Sequence, residues 1–201
     1  MDIKVERFIN SIFSSNTYVV HDLEKAVVVD LGDVSRVAGY IRANGLKLKA
    51  MLLTHTHYDH IYGIRGFMNE FPGVPVYTSE FGREALANPK WNFSRYHNDP
   101  IAVESPLIRE LADGERLPMF VDAGIEVIAT PGHDKSCLTY KIGNRLFTGD
   151  SFIPGVKVIA TFPKSDKTEA QKWYQKLQQM SVGINTFPGH GCVILDNGIV
   201  I

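Results

Sequence analysis

Residues 54–60 read Thr-His-Thr-His-Tyr-Asp-His and place His55, His57, Asp59 and His60 within six positions. Neutral imidazole is the commonest side-chain ligand for transition metals, and a carboxylate beside it suits a divalent ion. If the segment leaves a strand extended, His55 and His57 share a face, Asp59 continues the alternation, and His60 falls on another side. One stretch then offers ligands to two adjacent ions. A regular helix would turn His57 and Asp59 apart. The plainer alternative is a set of surface histidines at a strand end, which would need no donors elsewhere; a metal site does.

Further donors follow later strand-like runs. Residues 125–130 lead into Pro131-Gly132-His133, residues 145–148 into Gly149-Asp150, and residues 184–187 into Pro188-Gly189-His190. Each alone reads as an ordinary turn residue. Three such turns in a chain that also carries the cluster make His133, Asp150 and His190 candidate ligands.

Elements must bring these residues together. The period-2 pattern predicts strands over 4–9, 16–21 and 26–30, and a short buried strand over 49–53 that delivers the histidine cluster. Helical spacing runs over 35–44 and 61–71, and Ser79 is positioned to cap a helix reaching Ala87. Residues 74–78, 125–130, 136–142, 145–148 and 184–187 read as strands, with Gly143-Asn144 turning a hairpin. Residues 168–180 form the clearest late helix, with Ala170, Trp173, Tyr174 and Leu177 on one face, and 192–195 with 199–201 suit a closing hairpin. Between them, 88–100 is aromatic and proline-bounded: a loop that either walls the site with Trp91, Phe93, Tyr96 and His97 or packs onto its own domain. Strands and helices mix in both halves, which argues for a layered α/β or α+β domain.

The order His55-x-His57-x-Asp59-His60, then His133, Asp150 and His190, resembles the metallo-β-lactamase-fold hydrolase superfamily, from about residue 5 to 195. That resemblance implies a four-layer αββα sandwich with the site on one edge, between the two sheets. It implies that His55, His57 and His133 hold one ion, that Asp59, His60 and His190 hold a second, and that Asp150 bridges them. Two divalent ions, zinc foremost with iron or manganese open, would activate a shared water, with Asp59 and Asp150 as catalytic carboxylates. Retention of all seven positions is similar to the glyoxalase II-like branch and implies hydrolysis of a thioester. The chain departs from that branch after Asp150, where Ser151 to Ala160 match neither the Gly-Arg-x-Asp stretch nor the lysine and tyrosine of related thiol-conjugate enzymes, and glyoxalase II's helical C-terminal extension is not expected, leaving one domain over 1–201. Lys157 or Lys164 could take an anionic group, or stay solvated. A mononuclear-iron persulfide dioxygenase, a lactonase, a β-lactamase, a nuclease or phosphodiesterase of the same fold, and a metal-stabilised domain without catalysis remain alternatives.

Composition bounds the rest. A formal net charge of -1 gives no reason to expect nucleic acid, and a small-molecule substrate is the expected partner. No leader pattern and no long apolar run is visible, so a cytoplasmic protein off the membrane is expected, with Cys137 and Cys192 as reduced thiols. Cys192 is expected to pack, His21 and His97 to sit at the surface, and Asp30 to serve either as a strand-end turn or as a partner to a ligand histidine.

Overall fold

Two strand faces are buried at once in the N-terminal half, and that dictates the layering. The computed structural model describes residues 3–120, 123–198 and 200. Strands β1 (Lys4–Ile9), β2 (Asn16–His21) and β3 (Lys25–Val29) form an antiparallel meander. Helix α1 (Val34–Ala43) then crosses to β4 (Lys47–Leu52), which pairs parallel with β3. Helices α2 (Tyr58–Ile61) and α3 (Ile64–Glu70) lead to β5 (Val76–Thr78), α4 (Glu80–Leu86) leads to β6 (Ile108–Glu110), and both strands extend the sheet in parallel. The first sheet thus runs β1-β2-β3-β4-β5-β6.

The second sheet contains β7 (Arg116–Leu117), β8 (Ile125–Ala129), β9 (Leu138–Ile142), β10 (Arg145–Gly149) and β11 (Asn185–Pro188), ordered β11-β10-β9-β8-β7. Helix α5 (Lys167–Met180) intervenes between β10 and β11, which pair in parallel as a crossover requires.

Alternation sorts the side chains between layers. Val20, Val27, Val29 and Leu52 face the second sheet and pack with Val127, Leu138, Tyr140 and Phe147. Their neighbours Val19, Val28 and Met51 face outward against Val37 and Ile41 of α1 and Ile64 and Phe67 of α3. On the far side, Leu177 of α5 covers Leu146 and Phe152. The layers are helix, sheet, sheet, helix, the expected αββα sandwich. Each fully buried aliphatic or aromatic side chain here contributes roughly 1.5–3 kcal/mol of transfer free energy.

Helix ends follow the sequence signals. The Ser79 hydroxyl accepts from Gly82 N, and Asp166 caps α5 by accepting from Thr168 N and Glu169 N. The expected helix over 61–71 is different. It begins three residues earlier, as the single turn α2, and continues as α3 after a break at Tyr62 and Gly63. Strands β6 and β7, three and two residues long, carry too little pattern to be predicted. Of the closing hairpin, Ile194 bridges Thr186 and Val200, while Ile199 and Ile201 lie outside the described residues.

Candidate metal centre

Five of the seven candidate donors lie just past the C-terminal end of a strand, and Asp59 and His60 lie on the helical turn α2 that follows β4. His55 and His57 follow β4 of the first sheet, while His133, Asp150 and His190 follow β8, β10 and β11 of the second. The edge where the two sheets meet therefore collects them. Two glycines make the approach possible. Gly149 adopts φ +50, and a Cβ at Gly189 would sit 2.2 Å from Asp150 Oδ1, so a side chain there would displace that carboxylate.

The extended segment ends at His57 (φ -66, ψ 149), and α2 starts at Tyr58. Asp59 thus does not continue the alternation of His55 and His57. The helical turn sends Asp59 and His60 toward a second group of donors, and this local change from strand to helix is what divides the motif.

Two sets result. His55, His57 and His133 form one, and His57 Nδ1 lies 3.0 Å from His133 Nε2. Asp59, His60 and His190 form the other, with His60 Nε2 3.2 Å from His190 Nε2 and Asp59 Oδ2 3.1 Å from His190 Nε2. Asp150 faces both: Oδ2 is 3.6 Å from His133 Nε2 and from His190 Nε2, and Oδ1 is 3.6 Å from His60 Nε2. All seven candidate residues are brought together. His55 Nε2 and Asp150 Oδ1 are buried without a hydrogen-bond partner. Converging nitrogen and carboxylate lone pairs with no sulfur among them fit divalent ions with open coordination positions.

In His60 and His133 the other ring nitrogen is held from behind, which selects the atom left for an ion. Asp30, itself fixed by Thr54 N at 2.7 Å and Thr54 Oγ1 at 2.6 Å, lies 3.0 Å from His60 Nδ1. Asp30 is therefore the partner of a ligand-set histidine. His133 Nδ1 lies 2.7 Å from the Ile159 carbonyl. Asp134, 1% exposed, faces His57 Nε2 with Oδ2 at 3.5 Å, a charge contact and not a hydrogen bond, and accepts from Ser136 N at 2.8 Å and Ser136 Oγ at 2.5 Å. Sequence reasoning missed Asp134; its only signal was a carboxylate directly after a strand-end histidine.

Charge differs across the centre. Burial, then the neighbouring His60, His57 and His133, pushes the His55 imidazole well below its ordinary value and keeps it neutral. Burial lowers His133 in the same direction. For His60, burial opposes the charged form, yet Asp59 and Asp30 override it and hold the ring well above its ordinary value. Burial likewise opposes ionisation of Asp59, but His60 and His190 hold that carboxyl far below the usual range.

Around the donors, a cavity of about 230 Å³ is lined by His133, Asp150, His190, Ile153, Val156 and Ile159, with Lys157 at its wall. A larger hollow of about 820 Å³ lies across the strap of residues 155–161, against α5, and touches none of the seven donors. Phe93 and Phe162 stand 4.8 and 5.1 Å from the His57 ring. Phe93 has φ 62, a conformation rare for a bulky residue, imposed by a pinned loop: Asn92 Nδ2 donates to the carbonyls of Ala85 and Ile101. The 88–100 loop thus both packs on its own domain and walls the donors.

Two expectations fail, those for His21 and Cys192. His21 is buried and pairs with the Asp22 carbonyl and Tyr40, because α1 covers it. His97 is half-buried at the surface, where it stacks on Tyr58 with ring centroids 3.7 Å apart. Cys192 is exposed, since the segment after His190 runs over the surface; Cys137 is buried, and both are free thiols.

A sheet sandwich with such a donor cluster at its edge is the arrangement of a metal-dependent hydrolase. The profile of the metallo-beta-lactamase superfamily matches residues 11–190, and the chain belongs to that superfamily. A hydroxyacylglutathione hydrolase from Francisella philomiragia is 28% identical over 189 residues, 91% of this chain; the chain spans 65% of that enzyme's length. Among solved structures, the B3 metallo-beta-lactamase BLEG-1 is similar at TM-score 0.87 and 25% identity, covering 97% of this chain and 95% of that one. The TTHA1623 protein in a di-iron-bound form is similar at TM-score 0.82 and 22% identity, covering 96% and 95%. No helix among the described residues is long and apolar enough to cross a membrane.

Proposed function

We propose that the protein hydrolyses a thioester by metal-assisted attack of water, with His55, His57 and His133 holding one ion, Asp59, His60 and His190 a second, and Asp150 spanning both. The observation that carries this reading is the position of Asp150, whose two oxygens face donors of both sets at 3.6 Å. When bound, two divalent ions supply a water of lowered pKa and a Lewis-acid contact for the acyl carbonyl. The chain's own residues do the rest. Asp59 and Asp150 orient the attacking water by accepting its proton in a hydrogen bond, and His190, the most exposed of the donors, borders the cavity through which substrate reaches them. Val156, Val158 and Ile159 line the approach with apolar surface, and Phe93 and Phe162 cover the His57 ring, which strengthens the electrostatics within.

The thioester is favoured by the hydroxyacylglutathione hydrolases among the relatives, and a small-molecule substrate by the size of the cavity. Zinc, iron and manganese all suit imidazole and carboxylate donors. The test is a panel of thioesters, lactones and β-lactams offered to metal-loaded wild type and to His55→Ala. Thioester turnover that vanishes in a folded His55→Ala variant supports the reading. Lactone or β-lactam turnover in its place overturns it.

A further inference from the structure

One wall of the donor cavity is shaped by a turn that the sequence spells out. Ile153-Pro154-Gly155-Val156 carries proline and glycine at the two central positions of a type II turn. Gly155 takes φ +76, and Val156 N donates to the Ile153 carbonyl at 3.0 Å. Ile153 and Val156 are thereby paired as a β-bridge. Three residues on, the Ile159 carbonyl accepts from His133 Nδ1 at 2.7 Å, which ties the far end of the strap to a donor.

Between these two anchors the surface beside the donors is aliphatic. Apart from the donors, the cavity of about 230 Å³ is lined by Ile153, Val156, Val158 and Ile159 and by one polar side chain, the exposed Lys157. Val156 and Ile159 keep 49% and 57% of their surface exposed. The core does not cover them, so only a bound group takes this wall out of water. A hydroxyl or amide laid against it would lose hydrogen bonds to water and gain none from the aliphatic side chains.

Size decides which half of a substrate enters. Whole small ligands occupy cavities of about 300–1,000 Å³, so this one holds a fragment. The thiol carriers of biological thioesters are long and bear amides and charged groups, which the wall cannot pair. The acyl chain is the half that fits.

We propose that this cavity seats an unsubstituted aliphatic acyl chain, and that the Ile153–Val156 turn selects against hydroxylated acyl groups. The proposal rests on the thioester reading for the placement of the scissile carbonyl beside Asp150.

The experiment keeps the thiol constant, as N-acetylcysteamine, and varies the acyl group: butyryl, 2-hydroxybutyryl and 3-hydroxybutyryl. Metal-loaded wild type is expected to favour butyryl over either hydroxyacyl ester by about tenfold or more in kcat/KM. The preference should fall about tenfold in the Ile153→Thr, Val156→Thr double variant, whose hydroxyls can pair with the substrate's, and persist in Val182→Thr, which is 81% exposed and lines neither cavity. In parallel, calorimetry reads the binding of acetate, propionate and butyrate, which share one head group. Affinity should rise about fourfold per methylene in wild type and less steeply in the double variant. A wild type that prefers the hydroxyacyl esters, a preference unchanged in the double variant, or a flat carboxylate series overturns the seat. If wild type cleaves none of the esters, the thioester reading fails, and the carboxylate series alone decides whether the seat exists.

Discussion

The two halves of the centre are built from different material. His55, His57 and His133 are all imidazole, all nearly inaccessible to solvent, and braced from behind by Asp134 and the Ile159 carbonyl. Asp59, His60 and His190 carry a carboxylate, and Asp59 and His190 keep 14% and 25% of their side chains exposed. In the first half burial pushes His55 and His133 below their ordinary values; in the second Asp59 and Asp30 hold His60 above its own; His133 and His190 both border the cavity. A buried all-imidazole set sheds its ion slowly, whereas a set that keeps part of its donors exposed lets solvent exchange. Tighter metal retention is expected of the first half, and exchange of water and substrate of the second.

Asp150 is where the comparison is most easily broken, because it belongs to both halves. Asp150→Ala is expected to lower metal content in both and to cost about 1,000-fold or more in turnover, read by elemental analysis beside a thioester assay. Asp59→Ala should separate the halves: metal content falls by one equivalent, the first half stays loaded, and turnover drops by about 100-fold or more. An Asp59→Ala protein with full metal and full activity would contradict the division.

Asp134→Asn acts on the other half and more gently. The amide keeps the shape but not the charge facing His57, so metal affinity of the first half should weaken by about 10- to 100-fold in a competitive chelator titration. Asp30→Asn should do the same to the second half through His60, with lost hydrogen bonds to Thr54 adding a cost in stability. Chelation of wild type should remove activity and lower Tm, yet leave a cooperative thermal transition, since the two apolar clusters flanking the first sheet do not involve the donors. A chain that unfolds outright when the metal is stripped would instead mark a structural site.

Much of this was legible in the residues. The His-x-His-x-Asp-His spacing and the strand-end turns at His133, Asp150 and His190 announced a converging donor set, because strand patterning and Pro-Gly or Gly-Asp turns are local signals. Residues 26–30 and 51–53 read as apolar runs, and the mixing of strands and helices in both halves argued for layers, while the four-layer sandwich itself came from the family resemblance. What failed were features set by tertiary neighbours. Tyr58 begins a helical turn within the motif, and nothing local distinguishes it from continued strand. Asp134 acquires meaning only when the 131–137 loop folds over His57, and Phe93 only when Asn92 is tied to the carbonyls of Ala85 and Ile101. His21 looked exposed beside Asp22 until α1 supplied Tyr40.

Metal stoichiometry of the freshly purified wild-type protein, measured together with thioester turnover, decides whether both halves hold an ion. About two metal equivalents per chain are expected, with hydrolysis of a thioester. A single iron, with thiol-dependent oxygen uptake and no hydrolysis, would contradict this expectation and reduce the second half to a charged rim around a one-metal site.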